Sequence, residues 1–261
     1  MIRALYTAAS GMNAQQANID TIAHNLANVN TAGFKRTRLE FEDLVSQPQK
    51  APGTVTEAGE TPIGLEVGLG TRATASARDF RGGNLRATGA PLDLAIEGRG
   101  FLQIAMADGR TGYTRGGALH LSAEGNVVTA DGYLLHPPIR VPAEALSVTI
   151  TRDGAVSATM PGSTTAQQLG TIELASFTNP AGLSAVGSTL FNATPASGDP
   201  TVAAPGSEGM GTVLQGFLED SNVSVVEEMV NMILGQRAYE ANSKVVKAAD
   251  EMLSQVNNLA R

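Results

Sequence analysis

Apolar residues return every seven positions at both ends of the chain. Leu5, Met12, Ile19 and Leu26 mark the first stripe, with Ala8, Ile22 and Val29 beside it. Val225, Met232, Tyr239, Val246 and Leu253 mark the second, flanked by Met229, Ala249 and Val256. A seven-residue repeat keeps one face of a helix toward a partner as the two supercoil. The pattern therefore predicts long helices over residues 2–29 and 225–260, pairing with each other or with copies from neighbouring chains. Ser224 and Glu227 form a capping box at the start of the second, and Glu228 adds an acid at its positive end. Gly33, after Asn30-Thr31-Ala32, supplies a stop for the first.

The stretch between these ends has another rhythm. Leu92, Leu94 and Ile96 alternate with other residues, as do Leu146, Val148 and Ile150, then Ile172 and Leu174. Asp108-Gly109, Glu124-Gly125-Asn126, Asp131-Gly132, Asp153-Gly154 and Asn179-Pro180 punctuate them as turns. Residues 46–70, with Pro48, Pro52, Pro62 and five glycines, read as an extended connector. The expected fold is α+β: discontinuous N- and C-terminal long helices forming a coiled-coil domain, with a central antiparallel β domain. The boundaries fall at 1–33, 34–70 (connector), 71–210 (β-rich) and 211–261.

Charge and composition narrow the chemistry. The formal charge of −7 over 261 residues argues against nucleic acid as the main partner. Arg3, Lys35, Arg36 and Arg38 read as a solvated helix end, favoured by the helix dipole. From Ala4 to Phe34 the only formal charge is Asp20, whereas Asn13, Gln15, Gln16, Asn18, Asn25 and Asn28 crowd the segment. Amides in place of charges suit a helix that meets other protein on several faces. The absence of cysteine rules out disulfides and thiolate metal sites, and suits passage through an oxidising compartment. His24, His120 and His136 lack the spacing of a zinc site. No apolar run is long enough to cross a membrane, and the N-terminus lacks the features of a secretory signal peptide.

Candidate catalytic groups are weak. Gly68-Leu69-Gly70 and Gly98-Arg99-Gly100 complete no phosphate-binding loop, and the second reads as a tight turn that brings Phe101 into a core. Asp93 with Glu97, or Asp131 with Asp153, could pair as carboxylates for glycoside cleavage. Strand surfaces and Asp-Gly turns explain them as well. Neither a catalytic site nor a cofactor is expected.

Four motifs carry a family resemblance. Residues 23–35 (AHNLANVNTAGFK) resemble the N-terminal signature of flagellar rod and hook proteins, with His24 where the family usually has Asn. Ser221-Asn222-Val223, residues 227–233 (EEMVNMI) and residues 236–242 (QRAYEAN) resemble its C-terminal signature. Residues 93–101 (DLAIEGRGF) and 113–117 (YTRGG) match its central stretches. Length, the QRAYE pattern and the connector at 46–63 look most like members from the distal part of the rod. A proximal rod protein is the alternative, and a peptidoglycan-remodelling enzyme the reading from another class.

The resemblance implies a structural subunit of a hollow helical homopolymer that spans the periplasm and transmits torque. Its terminal helices would lie inside the tube and its β domain outside. Implied partners are further copies of the chain, proximal rod proteins, the hook protein, the surrounding P and L ring proteins and the flagellar type III export apparatus. Nucleic acid and membrane insertion are not among them. Export would need no cleaved signal peptide. Interface residues are expected at Leu5, Met12, Ile19, Leu26, Val29, Gly33 and Phe34, and at Met229, Met232, Ile233, Tyr239, Val246 and Leu253. Asn25, Asn28, Asn222, Gln236, Arg237 and Asn242 are the polar candidates for fixing register.

Overall fold

The computed structural model describes residues 2–53, 55–56, 59–60, 62–162 and 165–259. Two compact units each draw on distant parts of the chain: residues 1–27, 37–77 and 224–261 in one, residues 28–36 and 78–223 in the other.

The first unit is built on helices α1 (Ile2–Ala27) and α2 (Val225–Leu259). The second starts as its cap predicts. The Glu227 amide donates to Ser224 Oγ at 3.5 Å and the Glu228 amide to the Ser224 carbonyl at 3.0 Å. At 35 residues α2 extends about 52 Å. The first helix stops sooner than its pattern predicts, because residues 28–30 form a turn. There the Thr31 hydroxyl donates to Asn28 Oδ1 at 3.2 Å and the Thr31 amide to the Asn28 carbonyl at 3.1 Å. Such local bonds offer the backbone an alternative to another helical turn.

The segment expected as an extended connector holds paired strands. Thr37–Asp43 pairs with Thr71–Arg78 in a two-stranded ribbon. Beyond it Gln47–Lys50 runs antiparallel to Leu65–Val67, and Val55–Thr56 to Gly59–Glu60. Three prolines and the absence of a clear alternation hid this hairpin. The strands at 47–50 and 65–67 are short and mostly face solvent, so no burial pattern marks them.

The second unit is antiparallel β. A nine-stranded sheet runs through the strands at 119–121, 127–129, 134–136, 101–105, 111–114, 190–192 and 184–187; 174–176 also pairs with the central 101–105 strand, and 201–203 pairs with 174–176. A three-stranded sheet (147–150, 155–159, 167–171) and two strand pairs (94–97 with 212–215, 85–87 with 217–219) complete it. The glycines of the predicted Asp-Gly and Glu-Gly turns all have positive φ, between 82° and 85°, the region glycine enters without steric cost.

The central strand is buried on both faces. Leu102 and Ile104 enter an aliphatic core with Leu94, Ile96, Leu135, Ile172, Leu174 and Val213. Phe101 enters a second, aromatic core with Tyr113, Phe177, Leu183 and Phe191. Gly98 and Gly100, at φ 114° and 130°, make the turn that admits Phe101.

Candidate assembly interface

The two helices meet along a seam of small and polar residues. On α2, Glu228, Gly235 and Ala249 are buried and Asn242 half-buried, each seven residues from the next. On α1, Ala8, Ala14, Ile22 and Asn25 are buried. Glycines let the backbones approach. A Cβ built at Gly11 would stand 2.8 Å from Asn242 Nδ2, and one at Gly235 would stand 3.2 Å from Ile19 Cγ1. The predicted seam through Val225, Met232, Tyr239, Val246 and Leu253 is thus displaced. Met232, Val246 and Leu253 are half-buried at its flank, while Val225 and Tyr239 are 39% and 40% exposed. Hydrophobic patterning cannot register a contact made by glycine, alanine and an amide.

On α1, Leu5, Met12, Ile19 and Leu26 are half-buried. Asn25 is fixed: its Nδ2 donates to the Thr37 carbonyl at 2.8 Å, and its Oδ1 accepts from the Thr37 amide at 2.9 Å. This pins the start of the ribbon to the helix. Beyond α1, Asn28, Val29 and Phe34 are half-buried and Gly33 is buried. Gly33 is less a helix stop than a close packing point. Its amide donates to the Glu219 carbonyl at 2.7 Å, and a Cβ would stand 2.6 Å from the Arg115 carbonyl carbon. Asn222 staples the second unit: its Oδ1 accepts from the Arg36 amide at 2.7 Å and its Nδ2 donates to the carbonyls of Asp79 and Arg81.

Lys35 is not a solvated helix-end cation. It is buried and donates to Glu219 at 2.5 Å and to the Arg81 carbonyl at 2.8 Å. The other Glu219 oxygen accepts from Arg115 Nε at 2.8 Å, and Arg115 also donates to the carbonyls of Ile96, Gly98 and Gly100. The Gly83 amide completes the carboxylate's shell. Burial pushes the Glu219 carboxyl up, but the charges and hydrogen bonds of Arg115 and Lys35 outweigh it and hold the group below the usual carboxylate value. The network joins five separate stretches of the second unit: Lys35, residues 81–83, residues 96–100, Arg115 and Glu219. In the sequence, only the placement of Lys35 and Arg115 in the signature stretches 23–35 and 113–117 hinted at it.

The other face of α2 differs. Val226, Met229, Val230, Ile233 and Leu234 stand at i, i+3, i+4, i+7 and i+8, and are 51–72% exposed. This spacing makes one continuous apolar stripe. Gln236 and Arg237 follow it, both exposed, and Arg237 pairs with Glu240 at 3.0 Å. The helix is thus occupied on one side and apolar but uncovered on the other.

The suspected catalytic carboxylates are placed otherwise. Asp93 accepts from the Thr88 hydroxyl at 2.5 Å, while Asp131 and Asp153 lie in turns. Among the described residues no group of three or more His, Asp or Glu side chains could hold a metal, and no helix is long and apolar enough to cross a membrane.

These features define an assembly subunit, a chain whose terminal helices pair internally and still present apolar surface. The family described as "Flagella basal body rod protein" matches residues 5–35, "Flagellar hook protein FlgE/F/G D1 domain" residues 95–158, and "Flagellar basal body rod FlgEFG protein C-terminal" residues 214–259. The chain is 50% identical to the flagellar basal-body rod protein FlgG of Borreliella burgdorferi over the whole of both chains. It is 47% identical to that of Agrobacterium fabrum over 98% of each. The flagellar hook-basal body complex protein FlhP of Bacillus subtilis is 30% identical over 99% of this chain and 100% of its own. The chain belongs to the flagellar basal-body rod protein family. It is a structural, non-enzymatic subunit of the rod that assembles with rod and hook components.

Proposed function

We propose that copies of this chain polymerise into the distal section of the rod, a hollow helical shaft that carries torque from motor to hook across the periplasm. The observation that carries this reading is the uncovered stripe on α2. Burying such side chains stabilises association by on the order of 1 kcal/mol each, since they are already partly covered. Repeated around a helical array, the stripe would meet the helices of adjacent copies, with the amide-rich face of α1 toward further neighbours. The residues named as interface candidates then divide by role. Met229, Ile233 and Tyr239 face other copies, whereas Asn25, Gly33, Asn222 and Asn242 shape the subunit that makes those contacts.

On this reading the partners beyond the polymer itself are proximal rod proteins below, the hook protein above and the P and L ring proteins around the shaft. Delivery is by the flagellar type III apparatus. The test is purified Ile233→Asp. Its circular dichroism and melting should match the parent chain, while rods isolated from cells carrying it should end before this section. Full-length rods from that variant would refute the reading.

A further inference from the structure

The second unit carries a cavity of about 590 Å³ between residues 78–82, the turn at 98–101 and residues 176–181. Its aromatic wall is formed by Phe80, Phe101 and Phe177, packed edge to face at 5.4 and 5.9 Å between centroids. Its remaining lining is rich in arginine. Arg115 is committed to Glu219, and Arg81 to Asp79 at 2.7 Å. Arg99 is exposed, and among the described residues no acid pairs with it. A cationic, phenylalanine-lined hollow is unusual on a chain of net charge −7. It fits an aromatic side chain with a carboxylate beside it.

The chain itself carries such a group. Of its seven phenylalanines, Phe41 is the exposed one, at 42%, and the other six are buried or half-buried. It lies on the strand Thr37–Asp43, where side chains two apart share a face. Asp43 therefore stands beside Phe41, about 7 Å along the strand. Asp43 is exposed, and no base pairs with it among the described residues. Glu42, by contrast, is held by Arg72 at 2.7 Å.

We infer that this cavity is the acceptor for the Phe41–Asp43 strand of a second copy of the chain. Phe41 enters the aromatic wall and Asp43 meets Arg99. The inference rests on the reading that copies polymerise, and it deepens it. The two patches are different surfaces of one chain, so the contact is heterologous, the kind that propagates as an open helical array.

A chain without native cysteine makes the test direct. Full-length protein carrying Asp43→Cys and Arg99→Cys is assembled into rods, treated with a mild oxidant and separated without reductant. A ladder of dimers and higher multimers, absent from either single variant, is the expected result. Rods that yield only monomers, or a disulfide confined within monomers, overturn this inference and leave polymerisation standing. Failure of the parent chain to form any polymer overturns both.

A second pair of variants covers the case in which the cysteines block assembly. Asp43→Arg and Arg99→Asp alone should each lower rod yield about tenfold or more, because each sets like charges together. The double reversal should restore it. A double variant as poor as the singles overturns the contact.

Discussion

The two units solve the burial of apolar side chains in opposite ways. The β unit encloses its own: Leu94, Leu102, Ile104, Leu135 and Leu174 are at most 1% exposed, and even its buried charges are paired. The helical unit leaves Val226, Ile233 and Leu234 at 72%, 57% and 62% exposed on a helix that already has an intramolecular partner. Isolated apolar residues on a surface are ordinary, but a stripe with helical spacing marks a place for other protein. The difference teaches that the β unit buries its own aliphatic core, whereas the helical unit's apolar stripe is covered only by its neighbours.

The sharpest way to break this contrast is a charge on the stripe. Ile233→Asp or Leu234→Asp should abolish full-length rods and swimming, because a carboxylate then sits where the array must be dry. The isolated chain should melt as before, within about 0.5 kcal/mol, since the position is exposed. Electron microscopy of isolated basal bodies and calorimetry of the monomer check the two halves. Loss of monomer stability would place the stripe inside the subunit's own fold.

Next is the converse change, in the self-contained unit. Lys35→Met leaves Glu219 with one cation in place of two and should cost the β unit about 3–5 kcal/mol, the range for breaking a buried ion pair. Urea melts monitored by near-ultraviolet circular dichroism should show it. An unchanged midpoint would make the network incidental.

Acid gives a smaller, graded effect. The Glu219 carboxyl has a lower pKa folded than unfolded, so the folded state binds fewer protons between the two values. Its contribution is complete above the ordinary value of 4.5 and is lost as pH falls through the depressed folded value. The β unit's melting temperature should fall across that acidic window, and Glu219→Gln should fall less. Equal slopes would remove Glu219 from the explanation.

The subtlest change concerns residues 46–63, where three prolines each restrict φ. If the hairpin braces one subunit against the next, deleting it should leave polymerisation intact and give rods that curve. Negative-stain images of purified basal bodies would reveal this. Straight rods after the deletion would put stiffness in the helices instead.

Much of the fold is legible in the amino-acid sequence. The α2 start followed from Ser224 and Glu227, and the β turns from Asp-Gly and Glu-Gly pairs. What escaped was what depends on distant partners. Lys35 looked like a surface cation because Glu219, 184 positions away, cannot be seen from its neighbours. The helix seam was displaced because Gly11, Gly235 and Asn242 pack by closeness of backbone, which hydrophobicity does not encode. The ribbon at Thr37–Asp43 escaped because most of its residues face solvent.

The most direct test of the central claim is solvent access to the stripe in the two states. Leu234→Cys gives a single thiol at a position 62% exposed in the subunit. Maleimide labelling should be fast in the isolated chain and at least about tenfold slower in purified rods, as befits a side chain closed off by neighbours. Equal labelling rates in chain and rod would show that the stripe stays in water, and that the helical unit is not completed by its neighbours there.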